Sequence, residues 1–166
     1  MIKDSIRIEH DSIGSVEVPA NALWGAQTQR ALANFDIGDE LMPASLIYAL
    51  AQIKKASAIV NSRLGVLDED KKNIIVKVAS KIAKGHYKNQ FPLKIWQAGS
   101  GTQTNMNINE VICNLASQLS NEPLGSYRPL HPNDHVNRSQ STNDVFPSAI
   151  HLATINDIKT KLLPEL

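Results

Sequence analysis

The chain has 166 residues, with 17 Lys+Arg against 16 Asp+Glu and a formal net charge of +1. That balance excludes a nucleic-acid binder working through a basic stripe. With 42% hydrophobic and 20% charged residues it is no disordered chain, and 5% aromatics disfavour an all-β sandwich while suiting helices packed through Leu, Ile and Ala.

The lone Cys113 can form no internal disulfide and no cysteine zinc site, which fits a reducing compartment. No apolar run approaches the roughly 20 residues a membrane span needs. The N-terminus, MIKDSIRIEHDSIG, has no apolar core of a secretory signal. A soluble, cytoplasmic protein without membrane or nucleic-acid partners is the expectation.

In chain order, Ser5 to Pro19 alternates Ile6 and Ile8, then Val16 and Val18, with polar residues around turn residues at 11–15, which predicts a short β-hairpin. Trp24 to Asn34 predicts a short helix, and Gly38, Asp39 and Pro43 a loop. From Pro43 the apolar stripe Leu46, Leu50, Ile53, Ile59 and Val60 predicts a helix capped near Gly65. Asp68 then opens a helix with Ile74, Ile75, Val78 and Ile82 on one side, ending at Gly85. Thr102 to about Ser120 predicts a further helix, with Val111, Ile112, Leu115 and Leu119 buried. A last helix begins between Ser141 and Pro147 and carries Ala149, Leu152, Ile155, Ile158 and Leu162. Its apolar face has no later partner, so the chain reads as the front of a longer protein.

Three segments carry candidate chemistry. Gly99-Ser100-Gly101-Thr102 precedes a helix whose Thr102, Asn105 and Asn109 share one polar face. Glycines that let the backbone approach a ligand, hydroxyl donors and a helix N-terminus suit a carboxylate or phosphate. A plain glycine turn and N-cap accounts for the same residues. In Arg128 to Asn137, RPLHPNDHVN, two prolines stiffen a loop crowded with His131, Pro132, Asn133, Asp134 and His135. No metal site is expected there, because His131 and His135 at i, i+4 need a helix that Pro132 opposes. In Gln140-Ser141-Thr142-Asn143-Asp144, Ser141 and Asp144 have capping-box spacing, and the hydroxyl and amide donors could instead hold a carboxylate.

Other residues have ordinary roles. His10 and His86 suit the surface, His151 a packed or capping position, and Cys113 the core. Lys54-Lys55 and Lys71-Lys72 read as solvated helix faces, and Trp24 and Trp96 as packing residues.

Together, WGAQTQR at 24–30, FPLKIWQAGSGTQTNMNINEV at 91–111 and HPNDHVNRSQSTNDVFPSAIH at 131–151 resemble the class II fumarases (fumarate hydratases) of the aspartase/fumarase superfamily. The resemblance implies a mainly α fold: an N-terminal helical domain with a short β-hairpin, over 1–140, then the start of a long-helix bundle domain, over 141–166. It implies reversible hydration of fumarate to L-malate with no metal or organic cofactor, in a homotetramer whose sites combine segments of three subunits. Ser100, Gly101 and Thr102 match one substrate-binding segment, and Ser141, Thr142 and Asn143 another, with Thr142 where many members have Ser. Arg128 with His131, Pro132, Asn133 and Asp134 match a second, non-catalytic dicarboxylate site. The family's catalytic loop serine and its acid–base histidine have no counterpart here and are expected beyond Leu166, so the catalytic residues are unassigned. On this reading the chain is an N-terminal fragment, inactive alone. Aspartate ammonia-lyase shares much of the same frame. A non-catalytic helical binding or assembly module and, from the GSGT turn alone, a phosphate-binding domain remain as alternatives.

Overall fold

The computed structural model, which describes residues 5–166, holds two short strands and six helices among those residues. Residues 1–4, assigned above to the first domain, lie outside the described residues.

Strands β1 (Ile6–Asp11) and β2 (Gly14–Pro19) pair antiparallel as predicted, from Ile6 opposite Pro19 to Asp11 opposite Gly14. The Asp11 carboxylate accepts the N–H groups of Ile13 and Gly14 and so fixes the turn. The first strand is inside out, with Ile6 and Ile8 exposed and Glu9 buried, while Val18 of β2 is buried. Arg7 and Glu9 turn inward beside Val18 and Val16 because they organise the next helix. Arg7 donates to the Glu9 carboxylate and to the carbonyls of Pro19, Ala22 and Trp24.

Helix α1 (Ala26–Asn34) follows Gly25, which has no side chain to cap it. Buried Glu110 supplies the acceptors instead, taking the N–H groups of Gly25, Gln27 and Thr28 and the Thr28 hydroxyl, at 2.6–3.1 Å. Glu9 takes the Ala26 N–H and the Tyr127 hydroxyl. A Cβ on Gly25 would lie 2.7 Å from Glu9 Oε2 and 3.0 Å from Glu110 Cδ, so only glycine fits. The WGAQTQR segment is therefore a structural joint.

Helices α2 (Ala44–Arg63) and α3 (Glu69–Ala83) begin and end close to the predicted signals: Pro43 and Asp68 precede them, and Gly65 and Gly85 follow with positive φ. The buried row of α2 corrects the predicted stripe. It runs through Ile47, Leu50, Lys54, Ala58 and Asn61, whereas Val60 is half exposed. Lys54, expected on a solvated face, is fully buried.

Helix α4 (Thr102–Leu119) is the centre of the molecule, with thirteen of its eighteen residues buried. Val111, Ile112 and Leu115 join the core as predicted; Leu119 is exposed instead, in the last turn of the helix. Its asparagines are not the polar surface their low helix propensity suggests. Asn107 donates to the Gln90 carbonyl, and Asn114 donates to the Leu23 carbonyl and accepts the Gly125 N–H. They hold the loops that the hydrophobic core cannot.

A single wide turn of π-helix at Pro132–Val136 leads to helix α5 (Thr142–Asp157). Proline suits the first position of that turn, so Pro132 starts the helical geometry that it was expected to oppose. α5 buries Val145, Ala149 and Ala153 and packs on α2. Leu152, Ile155, Ile158 and Leu162 stand 41–52% exposed along α5 and the turn before α6 (Leu163–Glu165). His151 is exposed, not packed. Trp24 packs against the core as expected, whereas Trp96 is half exposed, its indole N–H on Glu40. The mainly helical architecture with a short hairpin is as expected.

Candidate functional site

Two helix N-termini meet at one corner. The first belongs to α4. Gly101 caps it with φ +72°, a left-handed conformation that favours glycine. The Ser100 and Thr102 hydroxyls, both exposed, lie 2.9 Å apart. Gln97 accepts the Thr104 N–H at 3.1 Å and its hydroxyl at 3.0 Å, which satisfies the third amide of the helix and holds the preceding loop to it. The positive end of the α4 dipole thus faces the Ser100–Thr102 turn.

The second N-terminus belongs to α5. Ser141 is its cap, as predicted, but its hydroxyl accepts the Asn143 N–H at 3.3 Å, one residue earlier than a capping box requires. The Thr142 hydroxyl accepts from Asn105 Nδ2 at 2.9 Å. Both hydroxyls therefore spend a lone pair on the protein and keep their own O–H free to donate. Asn143 and Ser141 are exposed and Thr142 is partly covered, so these donors face solvent.

Two contacts fasten the corner together. One is the Asn105–Thr142 bond, from α4 to α5. The other is the Phe146 ring, which fills the space where a Gly101 side chain would stand. The structure thus brings Ser100, Gly101 and Thr102 together with Ser141, Thr142 and Asn143, segments forty residues apart in sequence. Asn105 is buried beneath them, while Asn109, on the same face of α4, lies a turn deeper and has no link to either hydroxyl segment.

Residues 128–134 lie in a separate segment, where His131 and Asp134 pair. His131 Nδ1 accepts the Asp134 N–H at 3.3 Å and lies 3.1 Å from its carboxylate. The His131 backbone N–H donates to His135 Nδ1 at 2.8 Å, and the His131 ring stands edge-on to Tyr127. Arg128 is exposed, and its carbonyl accepts the Ser117 hydroxyl. Burial and the neighbouring Lys71 push the His135 pKa down, which favours the neutral ring needed to accept that hydrogen bond.

The sequence reading missed the polar network under the corner. Lys54 Nζ donates to Asn137 Oδ1 at 2.9 Å and to Gln140 Oε1 at 3.0 Å. Asn105 Nδ2 also donates to Asn137 Oδ1, at 3.1 Å, and Asn137 Nδ2 to the Gln140 carbonyl. Burial pulls the Lys54 pKa down to about 7. One signal was available: Lys54 lies four residues from both Leu50 and Ala58, on the buried row of α2. A groove of about 600 Å³ between the start of α2 and the end of α5, lined by Tyr48, Gln52, Leu152 and Asn156, contains none of the motif residues.

A family model described as "Lyase" matches residues 14–166. The chain belongs to this lyase family. It is 64% identical over 166 residues to a protein of Prochlorococcus marinus (strain MIT 9313) named "Fumarate hydratase class II", covering 100% of this chain and 36% of that one. A protein of the same name from Nitrosomonas europaea is 54% identical over 163 residues, 98% of this chain and 35% of that one. Among solved structures, the class II fumarase of Schistosoma mansoni superposes with a TM-score of 0.92 at 43% identity, over 96% of this chain and 34% of that one. A Brucella melitensis structure described as fumarate lyase:delta crystallin gives 0.89 at 43% identity, over 92% and 35%. The chain thus spans about a third of the length of these lyase relatives, 34–36%.

Proposed function

We propose that this chain is the N-terminal third of a class II fumarate hydratase, which adds water reversibly to fumarate to give L-malate in the tricarboxylic acid cycle. Its own contribution is to bind and orient carboxylates. The observation that carries this reading is the pairing of the α4 and α5 N-termini, with the Ser141 and Thr142 hydroxyls at the start of α5 each accepting one bond from the protein and keeping an O–H to donate. A dicarboxylate needs that arrangement: acceptor oxygens met by fixed donors and by helix dipoles.

Ser100, Gly101 and Thr102 hold one part of the substrate, and Ser141, Thr142 and Asn143 another. When the proton at C3 of malate leaves, negative charge moves onto the adjacent carboxylate. Fixed donors there stabilise it as an oxyanion hole does, with ~3–4 kcal/mol riding on a single donor. Holding both ends also aligns C2 and C3 for addition of water. No proton transfer is assigned to residues of this chain; the acid and base come from elsewhere in the protein. Residues 1–140 form the N-terminal domain and 141–166 open the central helical one. The Arg128, His131, Pro132, Asn133 and Asp134 cluster is a second dicarboxylate site. The exposed row Leu152, Ile155, Ile158 and Leu162 supports assembly through this helix into a homotetramer. The reading includes no cofactor and a cytoplasmic location.

The test is turnover by the full-length protein. Fumarate loss with stoichiometric malate, unaffected by a chelator and independent of ammonium, supports the reading. Aspartate formed only with ammonium makes it an ammonia-lyase, and no turnover on either points to a binding or assembly role.

A further inference from the structure

Lys54 has three N–H donors and no acceptor, and it lies fully buried one layer beneath the candidate site. An ammonium at that position forces the oxygens of Asn137 and Gln140 to face it. With Asn137 Oδ1 pointing inward, Asn105 can approach it only through its amide nitrogen. The second hydrogen of that nitrogen then reaches Thr142 Oγ1. Thr142 must accept, and its O–H is left to donate at the corner. The choice has a visible cost, because Asn105 Oδ1 is buried with no partner among the described residues. The opposite amide orientation would place that oxygen against Asn137 Oδ1 and turn the Thr142 proton inward.

We propose that Lys54 is a positioning residue that sets the hydrogen-bond direction of the Asn137–Asn105–Thr142 relay, so that Thr142 presents a donor to a bound carboxylate. The inference rests on the functional reading above and deepens it. Lys54 touches no ligand; it acts through two amides and a hydroxyl. Burial, which pulls its pKa to about 7, leaves at least two N–H donors in either protonation state, enough for both acceptors.

The experiment uses the full-length protein with Lys54→Met, Thr142→Val and the double variant. Lys54→Met leaves Asn137 Oδ1 bonded to Asn105, and half-buried Gln140 able to reach water, so the fold has no new orphaned acceptor. The expected result is a rise in KM for fumarate of about tenfold, the worth of one hydrogen bond, with kcat within about threefold and Tm unchanged or higher. In the Thr142→Val background Lys54→Met then changes KM less than about twofold, because the relay already lacks its last member. Asn137→Ala cuts the same relay at a half-buried turn and gives the same KM rise, which keeps the test decisive if Lys54→Met fails to fold. An unchanged KM in the foldable variants, or equal KM losses in both backgrounds, overturns the proposal. A wild-type protein without hydratase activity instead overturns the functional reading and, with it, a role for Lys54 in fumarate binding.

Discussion

The Phe146 ring occupies the place of the side chain that Gly101 lacks: a Cβ there would meet Phe146 Cγ at 2.3 Å. This one contact seats the α4 N-terminus against α5 and sets the spacing between the two groups of donors.

Gly101→Ala meets two penalties. The residue sits at φ +72°, which costs a non-glycine residue about 1–2 kcal/mol, and the added methyl overpacks the ring by about 1–3 kcal/mol. Chemical denaturation is expected to show both, and in a Phe146→Ala background only the backbone part is expected to remain. Equal losses in both backgrounds would show that the ring does not set the spacing.

Glu110→Ala removes the side chain that gathers three amides and one hydroxyl at the start of α1. Leaving those buried donors unpaired is expected to cost about 3 kcal/mol, with Glu110→Gln costing less, by denaturant melts. Burial raises the Glu110 pKa despite its four donors. The folded state therefore binds this proton more readily than the unfolded one, and the stabilising share of Glu110 shrinks as pH rises from the ordinary carboxylate range through the raised value. Glu110→Gln is expected to flatten that slope.

Lys54 gives a pH signature of the opposite sign. Its folded pKa of about 7 lies below the ordinary lysine value of 10.5, so between these values the unfolded chain binds more protons. Stability is expected to rise with pH across that window, by at most ~5 kcal/mol. Lys54→Met is expected to abolish this rise. A wild-type stability curve flat from pH 7 to 10 would contradict the burial of the Lys54 amine.

The fold was largely legible in the sequence, because helical apolar spacing and end signals such as Pro43, Gly65, Asp68 and Gly85 are local. The corner was legible only as its parts. Ser141 reads as a cap from its neighbours alone, but nothing local states that Asn105 will reach Thr142. Lys54 was misread for a related reason: charge argues for solvent wherever the partners, here Asn137 and Gln140, lie more than eighty residues away. The hairpin was right in pairing, but the placement of Glu9 inside depends on the bare amides at Ala26, which only the packed structure brings near.

Asn105→Ala removes the bridge from α4 to α5 without altering either hydroxyl segment. Hydrogen exchange is expected to accelerate at residues 141–144, where the α5 start loses its anchor, and to stay unchanged in α3. Uniform acceleration across the chain would show that Asn105 supports the core in general and not this corner.

The most direct measurement is a crystal structure of the full-length protein with fumarate or L-malate bound. A ligand carboxylate is expected within hydrogen-bond distance of the Thr142 hydroxyl or the Asn143 side chain, with Ser100 and Thr102 on the same molecule. A ligand seated elsewhere, with these four residues facing only water, would contradict that expectation.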